Sequence, residues 1–324
     1  MRVLLALGGN AMSAPDGSAT PEAQQAAIAA AMESVAGLIA AGHEVVITHG
    51  NGPQVGNLLV KNELAAAVVP PVPLDWCGAQ TQATIGFTII NALERSLTQR
   101  GCDTKVAAIV TRTRVDQNDP GFADPTKPIG RYLPHDQAAA LMEHGQVWQD
   151  RGEKGWRRMV ASPAPLEVME TGVVLTLIAA GYVVVAAGGG GIPVVRDLDG
   201  AVRGVEAVID KDLTAALLAR SVDADVLVIA TDVDNAIIGY GTAAAEAIHT
   251  VTLEDMRVIA AAGHFASGSM GPKVAAAMQF VDQGGQRAVI TSLEHIENAT
   301  TGNFGTIIQG RPNSSQHSSQ NNER

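Results

Sequence analysis

The stretch RVLLALGGNA, residues 2–11, is an apolar run that passes directly into glycines. The same pattern returns in EVVITHGNGPQVG from Glu44 and in YVVVAAGGGGIPV from Tyr182. Glycine lets a backbone approach a ligand closely, and ligands of open α/β sheets bind beyond the carboxyl ends of the strands. One such turn alone is equally typical of a tight strand connection. Three of them predict a shared binding rim.

The rest of the chain extends this pattern into an α/β fold. Further apolar runs begin at Lys105, Asp225 and Arg287, and helical segments lie between the runs. Helices are predicted over 21–41, 79–99, 166–180, 213–220, 253–262 and 272–282. Regular alternation of strands and helices predicts a doubly wound, mainly parallel sheet. Because only 3% of the residues are aromatic, its core must consist of Ala, Val, Leu and Ile.

Residues 115–165 interrupt the alternation. This section is rich in Pro, Asp and Gly, which predicts an insertion that protrudes from the sheet as a lid or a surface arm. Trp148 and Trp156 suggest that the insertion has a small core of its own. Residues 311–324 are polar and of low complexity, which predicts a disordered tail.

Composition excludes several classes of protein. The formal charge of −11 argues against nucleic acid or an anionic membrane as a partner, since phosphate backbones select basic surfaces. Cys77 and Cys102 form no disulfide framework, and no Cys/His spacing indicates a zinc site. No apolar run of membrane-span length is evident, and glycines interrupt the start where a signal peptide would continue. A reduced, soluble, cytoplasmic protein is expected.

Three lysines stand at unusual places. Lys211 lies in the triplet Asp210-Lys211-Asp212, between an apolar run and an Ala/Leu helix. Lys273 falls in the first turn of a predicted helix, where the helix dipole disfavours a cation unless an anion is shared. Lys127 lies between two prolines, which we expect at the tip of the insertion. Lys127 and Lys273 are each compatible with a solvated surface position, whereas Lys211 is harder to explain in that way.

Eight motifs stand in one order along the chain: ALGGNA, HGNGPQVG, DPTKPIG, GWRR followed by SPAP, AGGGGIPV, GVEAVIDKD, TDVD and GSMGPKV. From Arg2 to about Gly310 the sequence resembles the carbamate kinases of the amino acid kinase superfamily. The resemblance implies an open three-layer αβα sandwich with a mainly parallel sheet, usually assembled as a homodimer. It implies reversible phosphoryl transfer between MgATP and carbamate, commonly run towards ATP from carbamoyl phosphate and ADP.

The resemblance also implies a division of the chain. Residues 1–200, including the insertion, would form the phosphoryl-acceptor lobe, and residues 201–310 the nucleotide lobe. Carboxylate-phosphorylating relatives carry a lysine at the position of Ala6, and Lys211 resembles its replacement. Asp212 matches the aspartate that orients the catalytic lysines, while Asp210 either caps the helix or holds Mg²⁺ through water. The catalytic residues implied are Lys211, Asp212, Lys273 and Lys127, with Lys127 swinging in on a mobile cover.

The binding residues follow from the same motifs. Backbone amides of two glycine turns would hold the acceptor and the moving phosphate: Gly8, Gly9, Asn10, Gly50, Asn51 and Gly52. Gly189 and Gly190 of the third turn would also bind substrate or phosphate. The nucleotide would contact Thr231, Asp232, Asp234, Tyr240, Met270 and Gly271. Mg²⁺ would be held mainly by the nucleotide phosphates, without a direct protein ligand.

Two departures from the family pattern keep alternatives open. Ile237 stands where carbamate kinases usually have an aromatic residue, and Arg131 adds a cation near Lys127. The chain is therefore also compatible with a kinase of another small acid, or with a non-catalytic sensor of nucleotide or carbamoyl phosphate. Arginine breakdown and purine or allantoin breakdown remain equally open as the pathway. The apolar helix near residues 79–93 is compatible with a dimer interface or with the core.

Overall fold

The computed structural model describes residues 1–12, 20–66, 68–143, 145–265, 270–302 and 304–310, so the predicted tail lies outside the described residues. The strands are β1 (Arg2–Leu7), β2 (Glu44–His49), β3 (Val106–Ala108), β4 (Arg112–Val115), β5 (Lys127–Leu133), β6 (Val147–Asp150), β7 (Trp156–Val160), β8 (Pro165–Val168), β9 (Val183–Val185), β10 (Ile192–Arg196), β11 (Val202–Gly204), β12 (Val226–Thr231), β13 (Ile237–Ile238), β14 (Glu246–Ala247), β15 (Thr250–Thr252), β16 (Arg287–Ser292) and β17 (Thr306–Gln309). The helices are α1 (Pro21–Ala40), α2 (Gly52–Ala65), α3 (Leu74–Gln99), α4 (His135–Met142), α5 (Thr171–Ala179), α6 (Lys211–Ser221), α7 (Leu253–Ala261) and α8 (Met270–Asp282).

Within the described residues the main sheet has eight strands in the order β15-β17-β16-β12-β1-β2-β9-β3. Neighbouring strands run parallel except β16 and β17. From β1 the chain moves first to β2 on one side and later to β12 on the other. Such a switch point opens a crevice beyond the strand ends, here between β1 and β12.

Helices cover both faces of this sheet. On β1, Leu4 and Ala6 face a core shared with α5, α6, α7 and α8, whereas Val3 and Leu5 face a core shared with α1 and α3. Alternation along a strand sends successive side chains to opposite faces, which explains the two separate cores. The fold is the three-layer αβα sandwich with a mainly parallel sheet that the sequence predicts, and this prediction is confirmed.

Helix α1 is a core helix with an unexpected composition. By length and hydropathy it could cross a membrane, contrary to the expectation of no such run. Its alanines raise the mean hydropathy, but Ile28, Met32 and Val35 pack in the same core as β1. Thr20 caps its first turn, accepting a hydrogen bond from the amide of Ala23. We therefore interpret α1 as part of the sandwich.

The insertion folds as a small unit, called the arm here, formed by β5, α4, β6 and β7. Its three strands make an antiparallel sheet in the order β5-β7-β6. Leu133, Ala138 and Trp148 are buried together, with Trp156 packed against them. The expected core around the two tryptophans is therefore present. At the base of the arm, β4 and β8 pair with each other and join β10 and β11 in a four-stranded sheet.

Two predicted helix starts are wrong: α3 begins at Leu74 instead of residue 79, and the other error lies before α5. The sequence predicts a helix over 166–180, but Pro165–Val168 is strand β8, and α5 begins only at Thr171. A short run of Leu and Val is compatible with either state, and periodicity does not separate them. Pairing of β8 with β4 decides the outcome, because it gives the backbone of this run its hydrogen-bond partners.

Candidate active site

Three glycine turns meet at one rim of the main sheet, as expected. They follow β1, β2 and β9, and the first and third are the 3-10 turns Gly9–Met12 and Gly188–Gly190. A cleft of about 690 Å³ opens there. The residues predicted for the site that line it are Gly9, Gly50, Asn51, Gly52, Gly189, Lys127, Lys211, Asp212 and Lys273.

Asp212 joins two of the lysines. Its Oδ1 lies 2.5 Å from Lys211 Nζ, and its Oδ2 lies 3.3 Å from Lys273 Nζ. Burial acts to raise the pKa of Asp212, but the two ammonium charges outweigh it and hold this pKa below its usual value. The carboxylate is therefore ionised, and it keeps two cations beside the cleft.

The charged triplet at the start of α6 has a second role. Asp210 is the N-cap of α6 and accepts a hydrogen bond from the Asp212 amide at 2.9 Å, so the capping alternative is confirmed. Its other oxygen accepts from Lys127 Nζ at 3.1 Å. Lys127 begins β5 at the base of the arm, so the expected place at the tip is wrong. The prolines beside it mark the start of a strand at the edge of the cleft.

Not every predicted amide faces the cleft. The amide of Gly8 donates to the Ala230 carbonyl at 2.9 Å, that of Gly50 to the Leu7 carbonyl at 3.1 Å, and that of Gly190 to the Ala187 carbonyl at 3.0 Å. The backbone hydrogen bonding of strands and turns thus continues into these glycines and engages all three amides. Asn10 lies in the turn Gly9–Met12, and its side chain lies outside the described residues.

The glycine turn after β9 could not be formed by other residues. Gly189 has a φ of +67°, and a Cβ there would overlap the Asn51 amide group. Gly190 has a φ of +89° and lies against the Ile209 carbonyl. Positive φ favours glycine, and close packing leaves no room for a side chain. The turn after β9 is thereby fixed directly against the turn after β2.

Helix α3 supports both turns with buried polar side chains that the sequence interpretation missed. Gln82 is 5% exposed; its Nε2 donates to the carbonyls of Gly188 and Thr111, and its Oε1 accepts from the Thr111 amide. Thr81 Oγ1 accepts from Asn51 Nδ2 at 2.9 Å. Because α3 carries many other polar residues, the sequence offers no signal that separates these two from the exposed ones.

The residues predicted for the nucleotide do not line the cleft. Thr231 ends β12, and its hydroxyl donates a hydrogen bond to Asp232 Oδ1 at 3.0 Å. Asp234 Oδ1 lies 3.6 Å from His295 Nε2. Tyr240 is 76% exposed. Met270 and Gly271 begin α8, the helix that carries Lys273. The site therefore divides into a cleft beside the acceptor turns and an open edge beside β12 and α8.

The arm brings further cations to the cleft. Arg131 pairs with Glu63 of α2 at 3.0 Å, and Arg158 pairs with Glu206 at 3.0 Å. Arg131 and Arg157 both line the cleft. Arg157 lies over the Tyr132 ring, 4.9 Å from its centroid. Arg157 and Arg158 were not singled out from the sequence, where GWRR served only as a motif.

The described residues contain no group of three or more His, Cys, Asp or Glu side chains arranged to hold a metal ion. In the cleft the carboxylates Asp210 and Asp212 are engaged by lysines. Mg²⁺ in phosphoryl-transfer sites usually keeps several waters and takes few protein ligands. This carboxylate set fits a cation that arrives with a phosphate ligand.

Comparison with known proteins gives long matches. The model of the Amino acid kinase family matches residues 1–292. Carbamate kinase from Pyrococcus furiosus is 44% identical over 310 residues, which cover 95% of this chain and 98% of that protein. The carbamate kinase-like protein YahI of Escherichia coli is 42% identical, covering 94% of this chain and 98% of that protein.

A solved structure has the same fold. Carbamate kinase from Giardia lamblia bound to AMP-PNP superposes with a TM-score of 0.91 at 39% identity, covering 95% of this chain and 98% of that one. Agreement in sequence and in fold extends over nearly the whole chain. The protein therefore belongs to the amino acid kinase family and, within it, groups with the carbamate kinases.

Proposed function

We propose that this protein is a carbamate kinase, transferring a phosphoryl group reversibly between MgATP and carbamate. The observation that carries the proposal is the buried Asp212 carboxylate, which holds Lys211 and Lys273 together beside the cleft. Transferring phosphoryl groups pass through a loose transition state with negative charge on the equatorial oxygens. Two cations held in advance stabilise that charge without a further rearrangement.

The remaining parts of the cleft suit an anionic acceptor. Carbamate attacks through an oxygen that is already charged, so the reaction requires no general base. A carbamate oxygen bonds to the γ-phosphorus while the bond to the bridging oxygen of ADP breaks. The amides of Gly9, Asn51, Gly52 and Gly189 are our candidates for holding the acceptor and the moving phosphate, since these residues line the cleft.

Lys127 supplies the third cation in this proposal. In the structure its Nζ is paired with Asp210, and its side chain is 41% exposed. A partly exposed ion pair contributes little stability, so Lys127 can exchange Asp210 for a phosphate oxygen at small cost. The arm then acts as a mobile cover that brings Lys127 to the substrate.

Mg²⁺ is the cofactor in this proposal. It takes its ligands mainly from the nucleotide phosphates and water, and when bound it neutralises part of their charge. Thr231, Asp232, Asp234, Tyr240, Met270 and Gly271 remain our candidates for nucleotide contacts, with residues 201–310 as the nucleotide lobe and 1–200 as the acceptor lobe.

The assembly that we propose is a homodimer in the cytoplasm. Helix α3 has a core face with Ile85, Ile89 and Leu93, while Phe87 is 52% exposed and Trp76 is 60% exposed. The helix thus combines a core role with an apolar outer surface, and an outer surface of this kind favours a partner. The physiological direction that we favour is ATP synthesis from carbamoyl phosphate and ADP.

ATP formation from carbamoyl phosphate and MgADP tests the proposal. Lys211→Ala should lower kcat by about 10²–10³, the effect of removing one preorganised charge-stabilising group. Wild-type turnover that survives in the variant would remove Lys211 from the mechanism. A folded wild type that binds ADP without turnover would contradict the kinase assignment and favour a sensor.

A second acceptor is worth testing because Arg131 and Arg157 give the cleft cations beyond the three lysines. Phosphorylation of a panel of small carboxylic acids, measured beside carbamate at equal concentration, separates the two cases. Carbamate should give the highest kcat/KM. A higher kcat/KM for another acid would reassign the acceptor and leave the lysine roles unchanged.

A further inference from the structure

His49 is a buried side chain packed against two glycine turns of the acceptor site, and the mechanism above does not use it. It is the last residue of β2 and is 1% exposed. Its Nδ1 lies 3.0 Å from the carbonyl oxygen of Gly50. On its other side the ring lies so close to Gly188 that a Cβ at that position would overlap it. His49 therefore lies between the turns that follow β2 and β9.

The contact with Gly50 defines the proton on the ring. A carbonyl oxygen accepts and never donates, so Nδ1 must carry the hydrogen. Burial, together with the nearby Lys211 charge, lowers the pKa of His49 to about 4 against the opposing effect of the Gly50 hydrogen bond. The ring is neutral near pH 7, with Nε2 unprotonated on the side of Gly188.

The same contact fixes a peptide group. In a planar trans peptide the C=O and N–H bonds point in opposite directions. The Gly50 carbonyl points at the buried ring, so the amide hydrogen of Asn51 points away from it. Asn51 lines the cleft and is the N-cap of α2. The first amides of a helix have no partner within it, and they point out of the N-terminal end, which favours an anion there.

We infer that His49 is a positioning residue: by holding the Gly50 carbonyl through Nδ1–H, it turns the Asn51 amide towards the transferred phosphoryl group. It touches neither substrate nor nucleotide. Because the ring is neutral, it orients the peptide without adding a charge next to Lys211. This inference rests on the acceptor site proposed above and adds a residue to it.

Asparagine and glutamine separate this role from simple packing. The Asn side-chain nitrogen is bonded to Cγ, like Nδ1 of histidine, so His49→Asn keeps a donor for the Gly50 carbonyl. The Gln nitrogen lies one atom further out, in place of Nε2, and His49→Leu has no donor. We expect kcat to fall by about 10² in His49→Gln and His49→Leu, the loss seen when one preorganised donor is removed.

The assay is ATP formation from carbamoyl phosphate and MgADP. His49→Asn should keep kcat within about fivefold of wild type, and KM for MgADP should stay unchanged in all three variants, since a misdirected amide affects mainly the transition state. A loss in His49→Asn equal to that in His49→Gln would overturn the inference. Full activity in His49→Leu would overturn it as well.

Two controls keep the outcome interpretable. Thermal unfolding and calorimetric titration with MgADP identify variants that fail to fold. If all of them fail, the tautomer of wild-type His49, read by ¹⁵N nuclear magnetic resonance at pH 7, decides: protonation at Nδ1 supports the inference and protonation at Nε2 overturns it. Lys211→Ala is assayed in parallel, because unchanged turnover there would remove Lys211 from the proposed mechanism independently of His49.

Discussion

Asp212 is a single carboxylate with two lysine partners, and it is only 3% exposed. Breaking a buried ion pair by removing one partner leaves the other charges without compensation. Here Lys211 and Lys273 would be left close together and repelling each other. The residue thus serves stability and charge placement at once, and both can be measured.

Asp212→Asn should destabilise the fold by about 3 kcal/mol, the usual consequence of opening a buried ion pair. The change is measured by urea unfolding at pH 7. Asp197→Asn is the matched control, since Asp197 pairs with Arg203 at an exposed place and its loss should stay below about 1 kcal/mol. Equal effects in both variants would contradict the bridging role of Asp212.

The low pKa of His49 predicts a pH effect on stability. Its value falls from 6.5 to about 4 on folding, so the unfolded chain binds more protons between these pH values. The stability that the neutral ring contributes is therefore complete above pH 6.5 and is lost as the pH falls towards 4. The full difference amounts to about 3 kcal/mol, taken from 1.36 kcal/mol for each pKa unit. His49→Gln should lack this part of the pH dependence. Free energies of unfolding of wild type and variant that change in parallel from pH 7 to 4 would contradict the prediction.

Helix α3 both packs in the core and supports loops at the rim of the sheet. Ile85 and Ile89 lie in the core, while Gln82, one turn earlier, satisfies backbone groups of two loops at the rim. A buried backbone group that loses its partner costs about 1–3 kcal/mol. Gln82 therefore couples the helix to the turn that follows β9.

Gln82→Leu should destabilise the protein by about 2–4 kcal/mol, because several buried backbone groups lose their partner together. Gln99→Leu at an exposed position of the same helix, away from the face with Trp76 and Phe87, is the control and should change stability by less than about 0.5 kcal/mol. Both values come from urea unfolding. A Gln82→Leu variant as stable as the control would show that water or rearrangement replaces these bonds.

The elements themselves could be predicted where the sequence pattern is local. The central strands β1, β2 and β12 are mostly apolar runs that the sequence predicts, and it also predicts the proline-led start of α1. The boundary at β8 was not, because a strand pairing with β4 is a long-range contact. The roles of Gln82 and His49 could not be predicted for a similar reason. Both side chains contact backbone of distant turns, such as Gly188, and residue types do not reveal such contacts.

Across the whole molecule, the arm and the body attract each other through charge. Lys127, Arg131 and Arg158 belong to the arm, and their partners Asp210, Glu63 and Glu206 all belong to the body. These pairs are partly exposed, so salt should screen them. A protein with a net charge of −11 thus places cations on the arm, the part that we propose as the cover of its anionic substrates.

Raising the salt concentration from about 0.05 M to about 1 M should therefore loosen the arm selectively, since the Debye length then falls to about 3 Å. Hydrogen exchange followed by mass spectrometry should accelerate in β5 and β7, while β1 and β12 stay protected. Glu63→Gln should produce part of the same acceleration at low salt. Equal acceleration in the central strands would indicate general destabilisation instead.

The alanines between α6 and α8 have a consequence for turnover. Ala215, Ala216 and Ala219 of α6 share a core with Ala276 and Ala277 of α8, so the two helices that carry Lys211 and Lys273 pack through short side chains with little room for adjustment. The distance between the two ammonium groups is thus decided when the chain folds. Their mutual repulsion is overcome once, during folding, and in the mechanism that we propose each catalytic cycle begins with this part of the site already assembled.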